Sequence, residues 1–328
     1  MVGGMTDVAF RALSAVVGLA SGETIVVVRD HETDAVASAF VDAAVEIGAI
    51  VKEIHLAADK RPMRDVPADW ASKLDGAQVV LTLFSAIPEE TPFRVDLLQQ
   101  LRTRQCRVAH APGISREMLA GGALDVDYAE MKAVAGRMLS ALRDASYVRL
   151  ESSGGTDVTL YVEGRPFSSD VGIREGQMGN LPCGEVWCAP VEILGEGTLV
   201  VDGSIGNLGA VPSPVVINLE GGRIRSLSCA DDAFLKKVQQ LVGLDDEAQV
   251  LGEFGVGINS KARVTGNILE DGKAKGVVRL AFGNNQEMPS GGNRSLTHLD
   301  LLIKNAEIIV HYVDGHGARV VDIDLVNV

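Results

Sequence analysis

The chain has 328 residues, enough for two domains that each bury a core of their own. Its 44 acidic against 30 basic side chains leave a formal charge of -14, a surface that repels phosphate backbones and anionic headgroups and so argues against nucleic acid as a partner. No apolar run reaches the roughly 18 to 20 residues of a membrane helix, and no basic segment precedes a compact apolar stretch at the start, so a cytoplasmic protein that meets no membrane is expected.

From Glu23 to about Ala145, short Val- and Ile-rich runs alternate with amphipathic stretches. TIVVVRD predicts a strand, ETDAVASAFVDAAVEIG a helix and AIVKEIHLA a second strand. GAQVVLTLFS, a helix from about Pro92 to Thr103, and CRVAHAPG continue the pattern. Strand, helix and strand in succession imply a parallel sheet covered by helices. The first strand runs into RDHETD instead of a GxGxxG turn, so this Rossmann-like region has no dinucleotide fingerprint. DYAEMKAVAGRMLSALRDA then predicts a long helix that closes the first domain.

After Ser146 the texture becomes β. SYVRLESS and DVTLYVEG read as a hairpin, and the runs in GTLVVDGSI, SPVVINLEGGRIRSLSC and EIIVHYVDGHGARVVDIDLV repeat the pattern around Gly-rich turns. Glu220-Gly221-Gly222 and Asp314-Gly315-His316-Gly317 supply the positive φ angles of such turns. One helix, DDAFLKKVQQLVG, interrupts. The expected fold class is α/β, with an N-terminal parallel α/β domain over 1–145 and an α+β, largely antiparallel β-rich domain over 146–328.

Three segments of the second domain carry candidate chemistry. GNLPCGEVWCAPV presents Glu185 in what reads as a turn, where the alternative is an exposed glutamate. LGEFGVGIN sets Glu253 in an otherwise uncharged strand, and a buried lone carboxylate costs several kcal/mol unless it is paired or ligating. SLTHLDLLI puts His298 and Asp300 on one strand face with Leu296 and Leu302, about 6 to 7 Å apart at the backbone. The alternative there is a hydrogen bond in which Asp300 orients a neutral imidazole. Together these are oxygen and nitrogen donors of the kind a divalent metal takes. His31, His55, His110 and His316 add little, and His311 is a further histidine that could approach the site. Cys106, Cys183, Cys188 and Cys229 form no CxxC pair, so reduced, buried thiols are expected.

In their order these segments, with GVVRLAFGNN ahead of the His-x-Asp strand, resemble the C-terminal half of the aminopeptidase T (M29) metallopeptidase family, whose relatives include non-haem iron dioxygenases that open dihydroxypyridine rings. The stretch LSAVVGLASGETIVVVRDHET resembles that family's opening helix and first strand. The resemblance implies metal-ligand positions at Glu185, Glu253, His298 and Asp300. It also implies a ligand His where this chain has Arg279. A guanidinium stays protonated and cannot bind a cation, so a complete two-metal site is not expected.

Arg279 is instead expected to pair with Glu185, Glu253 or Asp300, or to clamp a substrate carboxylate; the alternative is a snorkelling arginine at a strand edge. Glu185 and Arg279 are the candidate catalytic residues. The cofactor expected is one divalent transition metal (Zn, Mn or Fe) or none. The function implied is a single-metal enzyme, hydrolase or dioxygenase, acting on a peptide or a small amide or aromatic substrate. A non-catalytic paralogue that binds a peptide or small molecule, for example as a partner in a biosynthetic pathway, is the alternative. The resemblance further implies a homodimer.

Overall fold

The computed structural model describes residues 4–314 and 317–323, with side chains as far as 313. The chain divides into two compact units, Met1–Ala129 with Asp170–Cys183, and Glu130–Ser169 with Gly184–Val328. The single boundary expected at 145/146 is therefore corrected to a discontinuous division. Two segments cause it. Met178–Asn180 returns to pair in parallel with Arg107–His110 in the first unit. Most of the helix Tyr128–Leu142 belongs to the second, where the Tyr312 hydroxyl donates to the Ala141 carbonyl.

The first unit holds the expected all-parallel sheet. Its strand order is Ile50–His55, Thr24–Arg29, Val79–Leu83, Arg107–His110 and Met178–Asn180. Ile25 to Val28 are fully buried, as a strand covered on both faces requires. The helix Asp34–Ile47 ends at Gly48, whose φ of 87° suits a residue without a Cβ. The helix Thr91–Arg102 buries Phe93, Leu97 and Leu101 at four-residue spacing against Val26, Val80 and Val108.

The second unit contains, among the described residues, two seven-stranded sheets. The first runs Arg223–Cys229, Val215–Glu220, Gly195–Val201, Asp157–Tyr161, Tyr147–Glu151, Glu307–Asp314 and Gly317–Ile323, and includes the three hairpins expected from the sequence. Gly315 and His316, expected in a turn, lie outside the described residues. The helix Asp232–Val242 is capped by Asp231, which accepts from the Phe234 amide.

The second sheet runs Gly209–Ala210, Ser204–Ile205, His298–Lys304, Val277–Gly283, Leu251–Gly257, Glu185–Cys188 and Ser168–Ser169. Strict alternation gives it two unlike faces. Val278, Leu280 and Phe282, with Phe254, Val256 and Leu301, are buried apolar side chains on one face. Arg279, Ala281 and Gly283 point to the other, beside the residues that oppose them on neighbouring strands. That second face carries the charged side chains singled out in the sequence.

Candidate metal centre

Glu253 and Asp300 both oppose Ala281, one from each side, so their carboxylates flank a methyl group that leaves space between them. A bulge between Leu251 and Glu253 re-aims the glutamate. His298 opposes Gly283 one row away. Arg279 opposes Gly255, and a Cβ there would overlap the Glu185 carboxylate. Glu185 opens its strand opposite Gly257, where a Cβ would overlap the Ala274 carbonyl. Glycine at 257 thus lets the chain around 273–274 lie close on the sheet, and this delivers Lys273 to Glu185.

The expected turn position of Glu185 is corrected: it is the first residue of a strand and fully buried. Its Oε2 accepts from Lys273 Nζ at 2.5 Å, and its Oε1 lies 2.8 Å from Arg279 Nε. Arg279 Nη2 donates to Glu253, and Nη1 is 3.3 Å from Asp300 Oδ1. One guanidinium therefore meets all three carboxylates, and with 16 % of its side chain exposed it is no strand-edge arginine. The geometry is not uniformly ideal. Arg279 Nε, Glu185 Oε1 and Asp300 Oδ1 make ion pairs without a directed hydrogen bond.

His298 Nε2 lies 3.2 Å from Glu253 Oε2 and 3.4 Å from Asp300 Oδ1. Its Nδ1 is 2.7 Å from the Asn284 carbonyl oxygen. A carbonyl only accepts, so Nδ1 carries the proton and Nε2 faces the carboxylates. About a third of the imidazole, 34 %, stays open to solvent.

Burial works against ionisation of these groups, but their partners prevail. The Arg279 charge and then His298 hold the Glu253 carboxyl below its usual range. The same two neighbours hold Asp300 well below its ordinary value. Asp300 and Glu253 raise His298 well above an ordinary imidazole, and Glu185, Glu253 and Asp300 raise Arg279 further.

The donor atoms of Glu253, His298 and Asp300 lie within 4.8 Å of one another, a set that fits a metal ion. The Asn284 carbonyl fixes the His298 tautomer as an outer partner of a metal-bound histidine does. Glu185, expected beside them as a fourth ligand, faces Lys273 and Arg279. Nothing in the sequence singles out Lys273, because EDGKAKG looks like a polar turn and no periodicity marks this lysine as buried.

The remaining candidates lie elsewhere. His311 stacks on Tyr147 at 4.2 Å in the other sheet of its unit. His110 meets the Thr82 hydroxyl at 2.7 Å, with its pKa pushed down to about 3 by burial and then by Arg94. Cys106, Cys183, Cys188 and Cys229 form no disulfide, and burial pushes Cys188 up.

Residues 6–322 match the family model for NicX, 2,5-dihydroxypyridine 5,6-dioxygenase. The chain belongs to the NicX family. Solved structures agree with this in fold. 2,5-Dihydroxypyridine dioxygenase from Pseudomonas putida superposes with a TM-score of 0.72 at 20% identity, over 93% of this chain and 92% of that one. Wild-type AmpT from Thermus thermophilus gives a TM-score of 0.71 at 17% identity, over 98% and 97%. No curated protein matches the chain. The resemblance to the dihydroxypyridine dioxygenases is thus established, the likeness to AmpT is one of fold, and both carry the α/β two-domain architecture. Within this NicX-family chain, Arg279 fills with ion pairs the position where that resemblance implied a histidine.

Proposed function

We propose that this chain is a metal-dependent enzyme of the aminopeptidase T and NicX superfamily with a single-metal site, in which Glu253, His298 and Asp300 hold one Zn, Mn or Fe ion. The observation that carries this reading is the placement of His298 Nε2 beside both carboxylates while Nδ1 is tied to the Asn284 carbonyl. An incoming ion would displace the proton that Glu253 and Asp300 otherwise hold on His298, and with the imidazole then neutral the three carboxylates exceed the charges of Arg279 and Lys273 by one, which suits one divalent ion. A second ion would leave a large unbalanced positive charge in a buried cluster.

A bound ion would supply Lewis-acid chemistry or, as Fe(II), a centre for oxygen chemistry. The side chains supply the rest. Arg279 holds Glu253 and Asp300 in place and keeps both ionised. Glu185 is ion-paired with two cations, which favours a role in setting the site's charge over water activation. The substrate class is a peptide or a small amide or aromatic molecule, reached through the solvent-open side of His298.

A second reading has its own observation: protonated His298 and Arg279 together satisfy the carboxylates, so the cluster is also self-consistent as the floor of a non-catalytic pocket. Elemental analysis and Mn or Zn titration of wild type, His298→Ala and Asp300→Ala separate the two. The metal reading expects uptake by the wild type and loss of binding in each variant, since each removes a direct ligand, with circular dichroism near wild type. Unchanged metal content in both variants rejects it. The homodimer implied by the family resemblance is proposed on that ground, and sedimentation showing only monomer at micromolar concentration refutes it. Among the described residues no helix is long and apolar enough to cross a membrane.

A further inference from the structure

We infer that Lys273 is a positioning residue that, with Arg279, commits Glu185 to service as a buried counter-ion, so that Glu185 sets the charge of the centre without donating to a metal. Three observations converge. The Glu185 side chain is wholly buried, and each of its oxygens already faces a different cation, Lys273 Nζ at 2.5 Å and Arg279 Nε at 2.8 Å. Lys273 is itself only 5 % exposed, and burying an ammonium demands a partner of opposite charge. The backbone is built for the contact: a Cβ at Gly255 would overlap the Glu185 carboxylate, and one at Gly257 would overlap the Ala274 carbonyl, which leads the chain from Lys273.

The consequence is a centre with two unlike halves. One half, Lys273, Glu185 and Arg279, is closed by fixed protein charges. The other, Glu253, His298 and Asp300, keeps nitrogen and oxygen donors turned toward one another. Arg279 spans both, so a change in the first half reaches the second as charge instead of as a lost ligand.

A double-mutant cycle on Glu185→Gln, Lys273→Met and the pair together tests this, read by Zn or Mn titration and by urea unfolding. The metal arm rests on the single-metal reading; the unfolding arm does not. Glu185→Gln leaves two cations short of a partner and is expected to weaken metal binding about tenfold or more. Lys273→Met moves affinity the opposite way, and the double variant returns to within about threefold of wild type, with the two substitutions coupled in unfolding. A double variant that binds metal as weakly as Glu185→Gln alone makes Glu185 a ligand and overturns the inference. So do substitutions that simply add in unfolding. If Glu185→Gln fails to fold, the affinity of the double variant against wild type decides. If wild type takes up no ion, the single-metal reading falls, and the coupling in unfolding still decides the role of Lys273.

Discussion

Each unit of the chain buries an arginine between carboxylates, and the two clusters differ in what they leave over. In the first unit, Arg61 donates to Asp30 and to Glu90, at the C-terminal side of the parallel sheet. Asp30 also accepts from the Ser85 amide at 2.7 Å and the Thr33 amide at 3.1 Å, and Glu90 from the Met63 amide at 2.9 Å. Main-chain and hydroxyl donors complete that cluster, among the described residues no histidine joins it, and it lies where doubly wound folds usually take a ligand. In the second unit, Arg279 meets three carboxylates and leaves Glu253, Asp300 and His298 Nε2 facing one another. A saturated ion network is a clasp, whereas one with convergent donors to spare is a candidate site.

The largest effects come from removing either arginine. Arg61→Ala and Arg279→Ala each strand buried carboxylates, and each is expected to cost about 3–5 kcal/mol of stability in denaturant unfolding. A divalent metal then tells them apart. Measured against wild type at the same metal concentration, added Mn or Zn should narrow the gap of Arg279→Ala, where the carboxylates converge with an imidazole, and leave unchanged the gap of Arg61→Ala, whose metal centre is intact. Equal narrowing in both, or no loss in Arg279→Ala, erases the distinction.

Acid supplies a smaller contrast. Burial pushes Asp30 and Glu90 up, but hydrogen bonds from Ser85 and Arg61 on Asp30, and from Arg61 on Glu90, leave both below the ordinary values of 3.8 and 4.5. A depressed carboxyl contributes stability above its unfolded pKa and loses it as pH falls through the folded one. The stability gap between wild type and Arg61→Ala should therefore narrow as pH drops below about 4.5. A constant gap in pH-dependent urea melts would show that Arg61 acts by packing alone.

Much of this was legible in the sequence where burial leaves a periodic mark. TIVVVR and VVLTL are continuous apolar runs because both faces of the parallel sheet are covered, and the paired runs after Ser146 announce their hairpins through Gly-rich turns. Met178–Asn180 leaves no such mark, being three residues with a glycine at the centre, and the true division of the units was hidden with it. Glu253, His298 and Asp300 stood out as polar residues in apolar strands. Glu185 was misplaced to a turn because Pro182 and Gly184 precede it. Lys273 was invisible, since its burial depends on Gly257 and on a neighbouring strand far away in sequence.

The central claim is a centre closed on one side by Lys273 and Arg279 and open to a single ion on the other. Metal content per chain, measured by elemental analysis after anaerobic and aerobic purification of untagged protein, tests it most directly. The account predicts one Zn, Mn or Fe ion per chain, and two tightly held ions or none would contradict it.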